Sequence, residues 1–368
     1  MRPAFSSTKQ AAAFALLLLV LLALPVVMGK NLLPPREEIY TFQGNGIGPW
    51  PWIRQQIYEE TNDIDIAFIG SSRLLHDIDT PYVQAKLSQQ LGRQAVVRSI
   101  CWGGAGYDML YLIAGDLLEH RRVKMIVFYD EDGEKFRNPS IPLFFRWGDN
   151  SESLNGLPSK DQMMFYFAAL IEIPRNLLAL TRPEIPADVF SAQPNNFETT
   201  YLAPDPATRL GSVSARRGFN PDYGIVSPFQ PHASYANGAA ANVSIYSESE
   251  KNKWSFEKLT LPAWQTQFAR KFTALAQDHS CKLVMLHIPI LDEKHSPRIL
   301  EREFWPSFLN SNLIMTGIPE TNLFAGLTDN EIEGLYFDPN HFNQNGQEFF
   351  APVITPTLIL LYETIKNP

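Results

Sequence analysis

Residues 64–80 read IDIAFIGSSRLLHDIDT. The apolar run from Ile64 to Ile69 stops at Gly70, and two adjacent serines and Arg73 follow. A short, nearly continuous apolar run closed by glycine reads as a strand buried on both faces, as in a parallel sheet. Working outward, a helix is expected over 80–91. Thr80 can cap it, Pro81 suits its first position and Gly92 can end it. QAVVRSI, residues 94–100, reads as a second strand. In 106–122, GYDMLYLIAGDLLEHRR, the apolar Met109, Leu110, Leu112, Ile113, Leu117 and Leu118 recur at helical spacing. KMIVFYD, residues 124–130, is a third strand. Strand, helix, strand, helix, strand is the order of an α/β protein whose parallel sheet is covered by helices.

The alternation breaks after the third strand. Residues 136–258 read as a long insertion with one apolar helix, about 161–180, and much Pro, Asn, Ser and Ala; the chain holds 28 prolines. The pattern resumes with a helix near 261–279, the strand KLVMLHIPI at 282–290 and a closing helix near 344–365. Residues 31–61 read as an extended linker ending in a short helix, so the main domain is expected over 62–368.

Residues 11–29, AAAFALLLLVLLALPVVMG, are almost wholly apolar and follow Arg2 and Lys9. Residues 1–30 are therefore a signal peptide or a single membrane anchor. Val27 and Gly29 match a cleavage site poorly, which favours the anchor. Positive charge ahead of the segment keeps the N-terminus in the cytoplasm and places the rest outside. The expected location is the cell membrane, single-pass with an extracytoplasmic domain, or periplasmic or secreted after cleavage. A net charge of −8 and the lack of a basic run argue against nucleic acid as a partner. Two cysteines, Cys101 and Cys281, make no disulfide framework; each reads as a small buried hydrophobe, with one disulfide the alternative.

Ligands of doubly wound sheets bind beyond the carboxyl ends of the strands. Gly70-Ser71-Ser72 lies at such an end, and the turn after it offers free N–H groups to an anion. A serine hydroxyl is a weak nucleophile and needs a base, commonly a histidine oriented by a carboxylate. Among seven histidines, His341 stands apart in GLYFDPNHFNQNGQEFF, 334–350. Asp338 precedes it by three residues, and Pro339 stiffens the turn between them. That spacing lets the acid hold one ring nitrogen while the other faces a substrate.

These residues resemble the SGNH/GDSL hydrolase superfamily, over about 62–135 and 260–366. The resemblance implies a flavodoxin-like three-layer α/β sandwich with a central parallel sheet, carrying the loop-rich insertion. It implies a nucleophile at Ser72, with Ser71 in the family's Asp position, an acid at Asp338 and a base at His341. It also implies an oxyanion hole from the N–H groups of Ser72 and Gly106, with Gly103 matching less well. The family's third block should offer an Asn after the third strand; here FYDEDGEKF follows, and the first Asn is Asn138. The Gly-Ser-Ser start and the anchor resemble the branch that modifies cell-surface polymers, such as alginate O-acetyltransferase proteins and the lipoteichoic-acid D-alanylation protein. The activity so implied is that of a serine esterase or O-acyltransferase on an acylated polysaccharide or other surface glycan, with a membrane acyl-donor protein as a partner and no cofactor or metal.

Other residues have competing readings. Arg73, Asp130 and His287 are candidates for substrate contact; a surface arginine, a solvated strand end and a core histidine are the plainer alternatives. Asp130 and Asp132 in YDEDGE also have the spacing of an aspartate-nucleophile phosphatase, though on the third strand and with Glu134 where Thr is expected. A non-catalytic carbohydrate-binding or assembly protein of the same fold is the alternative from a different class.

Overall fold

The computed structural model describes residues 5–28, 32–42, 50–102, 106–129, 144–179, 244–246, 261–291, 313–317, 323–324, 326–338 and 340–366. Strand β1 (Ile64–Gly70) is buried along its whole length, as its apolar run requires. It is flanked by β2 (Val97–Cys101) and β3 (Val123–Tyr129), both parallel to it. Beyond β3 come β5 (Lys282–Leu286) and β6 (Leu313–Gly317), also joined by parallel pairings, and β4 (Ser244–Tyr246) adds an antiparallel edge. The strand order is β2-β1-β3-β5-β6-β4.

Two helical layers cover the sheet. Helix α5 (Thr80–Leu91) packs with the closing helix α11 (Gln344–Lys366), and α6 (Tyr107–His120) packs with α9 (Ala263–Asp278). The result is mixed α/β, compatible with a three-layer sandwich. Local chemistry sets the ends of α5: the Asp79 carboxylate accepts the Tyr82 N–H at 2.9 Å, and Gly92 closes it with φ 64°. Asp79, not Thr80, is the cap; Thr80 is already the first helical residue. Phe128 meets Phe272 edge-on, with ring centroids 5.2 Å apart, and ties α9 to the sheet.

The stretch expected as a linker contributes to the core instead. Its described part forms α2 (Arg36–Phe42) and α3 (Trp50–Arg54), which runs on as one π turn to Glu59. Ile39, Tyr40, Trp50, Trp52, Ile53 and Ile57 are buried there. Arg36 pairs with Asp116 of α6 and donates to the Phe144 carbonyl at 2.8 Å; Tyr40 donates to the same carboxylate at 2.6 Å. In the insertion, the described part holds α7 (Trp147–Asn150), α8 (Ser159–Ala179) and strand β4, while the short α10 (Asp329–Glu333) lies ahead of the closing helix.

Among the described residues, two helices are long and apolar enough to cross a membrane. Helix α1 (Thr8–Val27) has only 6% of its most apolar window buried, against 56% in α11. Helix α11 is thus a core helix, burying Phe349, Phe350, Ile354, Leu358 and Tyr362. Helix α1 has the exposure of a membrane anchor or signal segment. Cys101 and Cys281 are both buried free thiols, so they form no disulfide. They sit at opposite ends of the sheet, Cys101 at the end of β2 and Cys281 ahead of β5. Burial pushes the Cys281 thiol up to about 12.

Candidate functional site

The carboxyl end of β1 is shaped by a close approach. A Cβ on Gly70 would stand 2.7 Å from Leu74 Cδ1 and 3.4 Å from the Tyr129 ring, so a side chain there would have to push the Leu74 side chain aside. The Gly70 carbonyl accepts the Trp102 N–H at 2.9 Å, which holds the first two strand ends together. Helix α4 (Ser72–Asp77) starts at once.

The two serines then part company. Ser71 is the N-cap of α4, extended at φ −90° and ψ −169°, and its hydroxyl accepts the Arg73 N–H. Its Oγ also bonds the Tyr129 hydroxyl, and the residue is buried. Ser72, the first helical residue, is partly exposed, and its Oγ lies 2.9 Å from His341 Nε2. Its N–H belongs to the first turn, which has no acceptor within the helix.

His341 is carried by a small two-stranded sheet. Strand β7 (Tyr336–Asp338) pairs antiparallel with β8 (His341–Phe342), with Asp338 opposite His341 and an irregular register between Tyr336 and Asp338. The Asp338 side chain lies outside the described residues. Three anchors fix this strand pair. Asp77, at the end of α4, accepts the buried Phe342 N–H at 2.7 Å. Asn343 donates through Nδ2 to the carbonyls of Gly334 at 2.8 Å and Tyr336 at 3.1 Å, and its Oδ1 accepts the Gly346 N–H at 3.1 Å. The Tyr336 hydroxyl donates to the Pro289 carbonyl at 3.0 Å, fastening β7 to the segment after β5. Serine and histidine are thus held by one short helix from both sides: Ser72 opens α4 and Asp77 closes it.

The remaining candidates fall in varied places. Gly106 is the N-cap of α6 with φ 146°, a conformation that favours glycine. It is five residues past Cys101, which pairs with Gly70, so it belongs to the same sheet edge. The next N–H, of Tyr107, is taken by Gln265 Oε1 at 2.6 Å. The Arg73 guanidinium donates to the Ile288 carbonyl and lies over the Tyr129 ring, 5.2 Å from its centroid. Those contacts latch α4 to the strand ends. His287 is buried directly after β5. Asp130, Asp132, Glu134, Asn138 and Gly103 lie outside the described residues, and with them the phosphatase motif and the place of the family's Asn.

Sequence reasoning missed Tyr129, Asp77 and Asn343. A serine pair followed by an aromatic strand end was the one signal for Tyr129; the other two hide among ordinary turn residues. A cavity of about 760 Å³ lies elsewhere, lined in part by Arg36, Asp116, Arg146, Asp149 and His279. It is remote from Ser72, and its Arg36–Asp116 pair is already engaged, so chemistry and not volume locates the site. Among the described residues no group of three His, Cys, Asp or Glu is placed to hold a metal ion. A nucleophile with a base at hydrogen-bond distance is an arrangement suited to acyl transfer. No protein-family model matches this sequence, and no curated protein matches it.

Proposed function

We propose that the chain is a membrane-anchored serine esterase or O-acyltransferase of SGNH type, acting on ester groups of a surface or exported polysaccharide. The observation that carries the reading is the 2.9 Å separation of Ser72 Oγ and His341 Nε2 across the carboxyl edge of a parallel sheet. That distance is within the reach a general base requires.

In this mechanism Ser72 Oγ attacks the ester carbonyl and its proton passes to His341 Nε2. Asp338, opposite His341 on the paired strand, orients the ring and balances the imidazolium. The N–H groups of Ser72 and Gly106 receive the negative oxygen of the tetrahedral intermediate. As the intermediate collapses, the bond to the leaving sugar oxygen breaks and His341 returns the proton to that oxygen. The acyl-enzyme then passes its acyl group to water, giving a carboxylic acid, or to an acceptor hydroxyl, giving a new ester; the second proton follows the same route. With α1 as anchor, the domain stands on the outer side of the membrane, where polymer esters occur.

A fluorophosphonate probe tests this directly. Intact-mass and peptide mapping of the wild-type chain should find one adduct, on Ser72. Ser72→Ala should abolish it, and His341→Ala should slow it by about 10²–10⁴-fold. Ser71→Ala should keep the adduct on Ser72. A folded wild-type chain that takes no adduct refutes the enzyme reading and leaves a binding protein.

A further inference from the structure

Helix α8 is apolar on two sides at once. Its inner side belongs to the core: Phe165 is fully buried, with ring centroids 4.8 Å from Phe145 and 5.4 Å from Trp264, and Ala169 and Ile173 are buried below it. Its outer side presents Met163, Phe167, Ile171 and Leu177 at 57%, 43%, 65% and 37% exposure. The exposed Pro174 completes the row. These residues recur every three or four positions, so they form one stripe, about 21 Å long at 1.5 Å per residue. Water-exposed surfaces rarely carry a continuous apolar stripe of this kind.

The neighbour of α8 indicates what covers the stripe. Helix α1 packs on α8, and the Tyr166 hydroxyl donates to the Leu22 carbonyl near the C-terminal end of α1. Trp147 stands edge-on to Tyr166, with centroids 4.8 Å apart. Trp and Tyr beside the end of an apolar span are the residues that favour the headgroup level of a bilayer. Two packed helices, α1 and α8, thus each carry an exposed apolar face, with an aromatic pair beside their contact.

We infer that the Met163–Phe167–Ile171–Leu177 stripe of α8 lies in the interfacial layer of the same bilayer that α1 crosses, seating the domain on the membrane. This inference rests on the anchor role proposed for α1. The occupant is lipid, and the binding is driven by apolar area. With a net charge of −8 the chain gains nothing from anionic headgroups, so neutral phosphatidylcholine suffices.

The test uses the full chain in phosphatidylcholine vesicles, with an environment-sensitive fluorophore on Met163→Cys, Phe167→Cys, Ile171→Cys, Leu17→Cys and Gln89→Cys in turn. The native thiols are buried and do not compete. Circular dichroism selects the folded variants. Lipids brominated near the headgroup should cut the emission of the three α8 labels by about two-fold or more, as for a helix lying in the interface. Lipids brominated deep in the chain should quench the Leu17 label, and the Gln89 label on α5 should stay in water. Quenching at Leu17 with none on α8 overturns the seating and spares the anchor. An unquenched Leu17 label sinks the anchor reading and the seating with it. Blue-shifted but unquenched α8 labels mean that protein, such as a second copy, covers the stripe, and also overturn it.

Discussion

Ser71 and Ser72 are identical in chemistry and opposite in fate. Ser71 caps a helix and bonds Tyr129, so its oxygen is committed; Ser72 is turned toward His341. Asp77 matters as much, although it touches no reacting atom, because it accepts the buried N–H beside His341. Asp77→Ala should cost about 1–3 kcal/mol of stability by stranding that N–H. It should also slow probe labelling of Ser72, since about 1 Å of misplacement costs roughly 10²-fold in rate. Asp77→Asn, which keeps an acceptor oxygen, should recover most of the labelling rate; equal rates for both variants would show that Asp77 does not position the base. At this scale the pairing of His341 with Ser72 was legible because an aspartate three positions earlier marked that histidine. Asp77 and Tyr129 were not, because each bonds a partner 265 or 58 residues away in sequence.

The elements show where sequence patterns reach and where they stop. The strand and helix alternation was legible because buried parallel strands read as apolar runs and their helices as amphipathic ones. Helix α5 ran where it was expected, and α8, α9 and α11 fell within two residues of their expected ends. A short helix was expected at the end of this stretch, but α2 and the burial of α3 were not, because their Tyr and Trp side chains find partners only in the folded chain. Tyr40 meets Phe144 at 4.8 Å, and Trp50 stacks near Trp102 at 6.4 Å. Edge strand β4 had no periodicity to announce it within so polar an insertion. The β7–β8 pair depends on Gly346, where a Cβ would fall 2.2 Å from the Leu335 carbonyl and 2.6 Å from the Phe342 ring. Gly346→Ala must shift backbone, so it should destabilise by about 1–3 kcal/mol. Chemical unfolding measures the loss, and labelling of Ser72 should fall in the residual folded protein.

Across the whole molecule, the end of the sheet opposite Ser72 is pinned by charge. Asp65 of β1, 2% exposed, is held by Arg93 at 2.6 Å, Lys124 at 2.9 Å and the Tyr362 hydroxyl at 2.5 Å. Burial opposes its ionisation, but hydrogen bonds from Arg93, Tyr362, Lys124 and the Val96 N–H outweigh it and hold the carboxyl well below its ordinary 3.8. A carboxyl depressed by folding adds stability that is fully present above pH 3.8 and drains away as pH falls toward its folded value. Asp65→Asn should therefore be less stable than wild type by about 1–3 kcal/mol at pH 7. The gap should narrow in unfolding curves taken at successively lower pH below 4; a gap that stays constant would mean the carboxylate charge contributes nothing.

The contact between Ser72 and His341 also sets an order of events during synthesis, because 269 residues separate its two halves. A chain growing from its N-terminus carries Ser72 long before His341 exists. Closing a loop of that length costs about 5 kcal/mol of chain entropy beyond a constant. One hydrogen bond, contributing about 0.5–1.5 kcal/mol, cannot draw the ends together. Sheet assembly must do so, through the pairing of β5 with β3 and of β6 with β5. The Ser72–His341 contact is consequently absent while the chain emerges and forms only once the segment that carries His341 has seated.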